Sequence, residues 1–201
     1  MFALGNAMVA DNALVQRAKA NDRAAFNEIV LRYKGKVYNF INRMVHSALD
    51  AEDLTQETFI RAYLSIASFQ SRASLNTWLL RIATNLCIDH SRKNKRSQGL
   101  VSSLSLEGDG EDNDQERELP DSSFDPQRLL LNKELGGQLD QALRNLPEKL
   151  RTVVLLYDVE GLPYDEISAI IGCPLGTVKS RLFNARAALR DRLAPYLTVV
   201  A

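Results

Sequence analysis

Trp78 shares one side of a helix with Arg81, Asn85, Arg92 and Arg96 when successive residues are set about 100° apart. An aromatic ring interleaved with cations is what unpaired nucleic acid requires. The ring stacks on an exposed base for about 1–3 kcal/mol while the cations follow the phosphates. The segment just before it supplies Gln70, Ser71, Arg72, Ser74 and Asn76, a short polar loop whose hydroxyl and amide groups are able to hold an extruded base by its edge. The competing reading makes Trp78 half-buried core and the arginines a solvated face.

A second group lies near the C-terminus. Gly176, Thr177, Lys179, Ser180, Phe183 and Asn184 share a helix face opposite an apolar stripe of Val178, Leu182, Ala185, Leu189 and Leu193, with Arg181, Arg186 and Arg190 at the flanks. A Phe in the middle of a polar face suits a major groove, where its ring contacts thymine methyls while Lys179, Ser180 and Asn184 reach base edges. The arginines would then serve phosphates, which position a helix without specifying sequence. The alternative is that Phe183 packs on a neighbouring helix of a simple bundle.

A third group falls within residues 50–64. There Ala51, Leu54, Thr58 and Ala62 form an inner stripe, and Asp53, Glu57, Ile60 and Leu64 form an outer one. Acids and aliphatics on one outward line suit a docking surface for another protein's helix. They equally describe a second core contact whose helix-start acids complement the macrodipole.

Other chemistry finds little support. The only histidines are His46 and His90, and the chain has no nucleophile motif, phosphate loop or metal-ligand cluster, so neither an enzyme, a metal nor a cofactor is expected. Cys87 and Cys173 lie far apart with no CxxC, which predicts reduced, buried thiols. No run approaches the roughly 18–20 apolar residues of a membrane span, and Met1–Ala10 lacks the basic start of a signal peptide. A cytoplasmic protein without membrane insertion is therefore expected, with Met8 as an alternative start.

The elements that position these groups are read from period and charge. Apolar residues recur every three or four places, with Gly and Pro at the breaks, so both halves read as all-α. Helices are predicted over 11–20, 23–45, 50–67, 75–96, 127–145, 148–159, 164–171 and 175–193, with no strand. The net charge of zero is segregated: residues 1–98 carry +6, residues 99–126 carry −8 and residues 127–201 carry +2. The acidic, Ser- and Gly-rich middle reads as a flexible linker. This divides the chain into a tail (1–10), a first helical domain (11–98), the linker (99–126) and a second helical domain (127–201). In the second, Gly161 stops one helix, 164–171 forms a short one, Gly172-Cys173-Pro174 turns and Leu175 opens a longer one, the spacing of a helix-turn-helix.

Taken together, DAEDLTQETFIRAY (50–63), TWLLRIATNLCIDH (77–90) and LPEKLRTVVLLYDVEGLPYDEISAIIGCPLGTVKSRLFNARAAL (146–189) resemble regions 2 and 4 of the extracytoplasmic-function branch of the sigma-70 family. The resemblance implies a sigma factor that directs core RNA polymerase to promoter DNA, under the control of an anti-sigma factor. It implies docking of residues 50–64 on the β′ clamp helices through Asp53, Gln56, Glu57, Ile60 and Leu64, with the second domain near the β flap. It assigns Gln70, Ser71, Arg72, Ser74, Asn76, Trp78, Arg81, Asn85, Arg92, Lys93 and Arg96 to the minus-ten element. Gly176, Thr177, Lys179, Ser180, Arg181, Phe183, Asn184 and Arg186 fall to the minus-thirty-five element. Departures from the common family pattern are Gln70-Ser71-Arg72 ahead of the minus-ten helix, Asn184 in place of Arg, Pro163 in place of Ser, and Gly136-Gly137 within a helix. The rival function is a conventional helix-turn-helix regulator with a helical N-terminal domain, which binds duplex without polymerase.

Overall fold

The computed structural model describes residues 2–45, 47–70, 73–101 and 136–197. Helix α1 (Phe2–Lys19) meets α2 (Arg23–Val45) through a turn in which Asn21 takes the left-handed conformation at φ 64°. Asp22 then caps α2, its Oδ1 accepting from the backbone N–H groups of Ala24 at 2.9 Å and Ala25 at 3.2 Å, as expected of a short acid at a helix start. Arg17 donates to the other carboxylate oxygen at 2.9 Å, which draws the Asp22 carboxyl below its ordinary value.

Helix α3 (Ala48–Ser65) is opened by Ser47, whose hydroxyl accepts from Asp50 N. A single 3₁₀ turn (Ile66–Ser68) leads to the loop before α4 (Leu75–Val101). Ile29, Val37, Phe40 and Ile41 on α2 and Leu79 and Leu80 on α4 are fully buried, with Val37 three and four residues from Phe40 and Ile41 and two turns from Ile29. Thr55 and Thr58, buried on α3, return their hydroxyls to the carbonyls of Ala51 and Leu54, so the helix buries them without an unmet donor.

In the second half α5 spans 136–144 of the described residues, and α6 (Glu148–Val154) widens into a π-helical turn (Leu155–Val159). Helices α7 (Tyr164–Ile171) and α8 (Leu175–Leu197) complete it, with Gly172 at φ 63° closing α7 in the left-handed conformation that glycine adopts without penalty. Ile167, Val178, Leu182 and Ala185 are buried where the two helices cross.

The two halves share one apolar core, and its polar hub is Arg151. Only 8% exposed, its guanidinium donates to four backbone carbonyls. Three come from the end of α5 and the turn after it: Leu143 at 3.0 Å, Arg144 at 2.8 Å and Leu146 at 2.9 Å. The fourth, Met44 at 2.6 Å, lies in the last turn of α2 in the other half. Glu148 takes hydrogen bonds from Ser91 and Lys95 on α4, and Lys36 pairs with Glu160 at 3.1 Å.

Among the described residues there is no strand, and the predicted helices are present with shifted ends. Helix α1 begins nine residues earlier than the predicted 11, because Phe2–Ala10 holds good helix formers and no Pro. Helix α4 continues five residues beyond the predicted 96, and α8 runs to Leu197. The first three residues of the predicted linker, 99–101, are instead the end of α4, while its remainder 102–126, the predicted helical stretch 127–135, Ser71, Arg72 and His46 lie outside the described residues.

Candidate docking and nucleic-acid surfaces

The outer stripe of α3 faces solvent. Asp53 and Gln56 are exposed, Ile60 is 54% and Leu64 76% exposed, and half-buried Glu57 accepts from Arg61 at 2.7 Å one turn on. Leu49, 77% exposed, extends the stripe by a turn, since 49, 53, 56, 60 and 64 follow four- and three-residue steps. That spacing was present in the sequence and the motif boundary at residue 50 hid it. No other described element covers these aliphatics, which sets aside the reading of the stripe as a second core contact.

On α4, Trp78 is half-buried. Its ring lies 5.0 Å from that of Phe69, tilted by 50°, and Phe69 itself is buried with its carbonyl accepting from Lys19. Trp78 is thus both partly core and partly accessible. Arg81, Asn85, Arg92, Lys93 and Arg96 are exposed; Arg92 stands 3.6 Å from Asp89. The lower part of this face forms one wall of a groove whose other wall is α3, with Arg61 opposite Arg92, Lys93 and Arg96.

In the preceding loop Gln70 is exposed, whereas Ser74 accepts from Thr77 N at 3.0 Å and pairs with Thr77 Oγ1 at 2.7 Å. Ser74 therefore caps α4. Half-buried Asn76 keeps a buried Oδ1 with no protein partner.

On α8, Gly176, Lys179, Ser180 and Asn184 are exposed, Thr177 is half-buried, and Phe183 is 74% exposed. Phe183 does not pack on a neighbouring helix, so that alternative is set aside. The turn before α8 is fixed by Ser168, which donates to the Cys173 carbonyl at 2.6 Å. Half-buried Arg181 donates to Cys173 Sγ at 3.8 Å. Arg186 forms an ion pair with Asp158 of the π turn, a partner 28 residues away that no spacing in the sequence marks.

These surfaces coincide with two matched families: Sigma-70 region 2 over residues 29–97 and Sigma-70, region 4 over residues 136–189. The chain belongs to the sigma-70 family. This sigma factor is 38% identical over 187 residues to the RNA polymerase sigma-H factor of Pseudomonas aeruginosa, covering 93% of this chain and 95% of the relative. It is also 38% identical to the ECF RNA polymerase sigma-E factor of Haemophilus influenzae, over 93% and 97% of the two chains. It is accordingly an extracytoplasmic-function sigma factor, a subunit that directs core RNA polymerase to promoters. Among solved structures, the sigma factor RpoE in complex with the anti-sigma factor NepR from Bartonella quintana matches with a TM-score of 0.65 at 27% identity, covering 84% of this chain and 96% of that one. CnrH in complex with the cytosolic domain of CnrY shares the fold, with a TM-score of 0.62 at 22% identity over 92% and 98% of the two chains.

Proposed function

We propose that this sigma factor divides promoter recognition among the three surfaces described. The α3 stripe, Leu49 included, docks on the β′ clamp helices of core RNA polymerase. The α4 face captures the unpaired minus-ten strand, Trp78 stacking on a base and Arg81, Arg92, Lys93 and Arg96 following phosphates, with Asn85 beside them. The α8 face reads the minus-thirty-five duplex through Lys179, Ser180, Phe183 and Asn184. The observation that carries this reading is the juxtaposition, in one four-helix unit, of an uncovered acidic-aliphatic stripe on α3 with a half-buried Trp in a row of exposed cations on α4. A conventional regulator has no use for that pair.

Mechanistically, capture needs only binding energy. Extruding a base costs a few kcal/mol, least when the strand is already open, and stacking of about 1–3 kcal/mol offsets it. The two reading surfaces also have to part. Elements centred about 25 base pairs apart are about 85 Å apart at 3.4 Å per base pair, whereas a packed chain of this length has a radius of gyration of about 17 Å. The α2–α6 and α4–α7 contacts must open before both elements are held, and core polymerase supplies the separation.

A regulatory partner fits the same surfaces. Both solved structures named above are complexes with a second protein, which in one of them is named an anti-sigma factor. An anti-sigma factor covering the exposed aliphatics of α3 would keep this chain from polymerase. Work of this kind belongs in the cytoplasm, and no helix among the described residues is long and apolar enough to cross a membrane.

The decisive experiment mixes the purified full chain with core RNA polymerase and maps transcript starts on genomic DNA. Specific initiation dependent on the chain is expected. Failure to bind core, together with tight duplex binding by the chain alone, would overturn the proposal in favour of a conventional regulator.

A further inference from the structure

Arg186 stands three residues beyond Phe183 on the recognition helix, and its guanidinium is already engaged. Nε donates to Asp158 Oδ2 at 3.1 Å and Nη2 donates to Oδ1, a bidentate arrangement equal in shape to the one Arg makes with phosphate. The pair faces water, with side chains 52% and 34% exposed. The hydrogen bonds that Arg186 donates to Asp158 hold its proton more firmly than usual.

Asp158 owes its place to an irregularity. It lies on the π turn Leu155–Val159, closed by Glu160 N donating to Leu155 O at 3.0 Å, a five-residue step in place of the usual four. Such turns are rare and concentrate at functional positions. The same turn presents Tyr157, over which the Arg186 guanidinium lies at 5.2 Å. Tyr157 stacks on Tyr164 at 4.7 Å with the planes 9° apart, and Lys179 lies 5.8 Å over Tyr164. A continuous line of contacts thus ties the base-reading Lys179 to Arg186 and its acid.

We infer that Asp158 is a built-in competitor for the DNA phosphate that Arg186 is placed to take, and so sets the strength and salt dependence of duplex binding by α8. This rests on the reading of α8 as the minus-thirty-five helix. When a phosphate takes the guanidinium, the DNA gives up one condensed cation while the freed Asp158 carboxylate, left beside the phosphates, draws one back, so the exchange releases no net counterion. With the acid neutralised, the same contact releases one.

The test uses the full chain and a minus-thirty-five duplex selected from random sequences with the chain bound to core polymerase. Affinity is read by fluorescence anisotropy across a salt series for the unaltered chain, Asp158→Asn, Asp158→Ser, Arg186→Gln and the double variant Asp158→Asn with Arg186→Gln. The Asp158 variants should bind about two- to fivefold tighter, the range set by an exposed ion pair. Their log–log salt slope should steepen by about 0.9, one additional phosphate neutralised. Arg186→Gln should bind more weakly, and adding Asp158→Asn to it should change nothing further. Binding by both Asp158 variants that is unchanged or weaker, while Arg186→Gln still weakens it, overturns the competitor. Unchanged binding by Arg186→Gln instead removes Arg186 from the duplex-reading surface.

Discussion

Trp78 keeps part of its ring against Phe69 and leaves the rest open beside Arg81 and Asn85, so its role can be separated from its packing. Trp78→Ala should weaken holoenzyme binding to a single-stranded minus-ten oligonucleotide by about 1–3 kcal/mol, measured by anisotropy, while Trp78→Phe should retain most of it. Arg151 shows the opposite balance. Burial works against its charge and lowers its pKa, although the nearby Glu148 carboxylate opposes that. Arg151→Met leaves four carbonyls without their donor and should lower unfolding free energy by about 3–5 kcal/mol in urea titrations. Arg151→Lys should not restore it, since an ammonium cannot serve a planar fan of acceptors. The Trp78 face was legible in the sequence because its members share one helix and one period. The Arg151 hub and the Arg186–Asp158 pair were not, because no periodic pattern marks a guanidinium that meets a carbonyl or a carboxylate from a different element.

At the scale of elements, α3 presents a single line of Leu49, Asp53, Gln56, Ile60 and Leu64 on a helix whose other side is buried at Ala51, Thr58 and Ala62. Placing a charge on the line should break docking without breaking the helix. Ile60→Asp and Leu64→Asp are each expected to cost about 2 kcal/mol of core polymerase affinity, the level of an interface hot spot. Circular dichroism should remain unchanged, and Leu49→Asp should behave likewise if the stripe extends as far as the exposure does. Helix positions were legible because apolar residues at three- and four-residue steps dictate them, and Gly172 announced the turn before α8. The π turn was not legible: Leu155–Val159 satisfies the ordinary helical period, and one extra residue per turn leaves no mark in composition.

For the whole molecule, charge and composition separate two helical halves in the sequence but carry no mark of how the halves sit. The contact between them is one apolar core with a few polar groups added, among them Glu148. Its partial burial raises the cost of its charge, yet hydrogen bonds from Ser91 and Lys95 and the nearby Arg151 charge outweigh that and lower its pKa from the ordinary 4.5. A carboxyl lowered on folding contributes stability above its unfolded value and loses it as pH falls through its folded one. The unaltered chain should therefore lose stability on acidification from about pH 5 to pH 3, and Glu148→Gln should flatten that part of the curve in denaturant titrations. Cys87 lies beside this contact, 1% exposed, its thiol pushed up to about 12 by burial and by the Glu148 carboxylate. Since the thiolate is the species that reacts with alkylating agents, the closed arrangement makes Cys87 nearly inert, and parting the halves withdraws the carboxylate and admits water. In a Cys173→Ala background the alkylation rate of Cys87 becomes a clock for opening, native to the chain and requiring no attached dye.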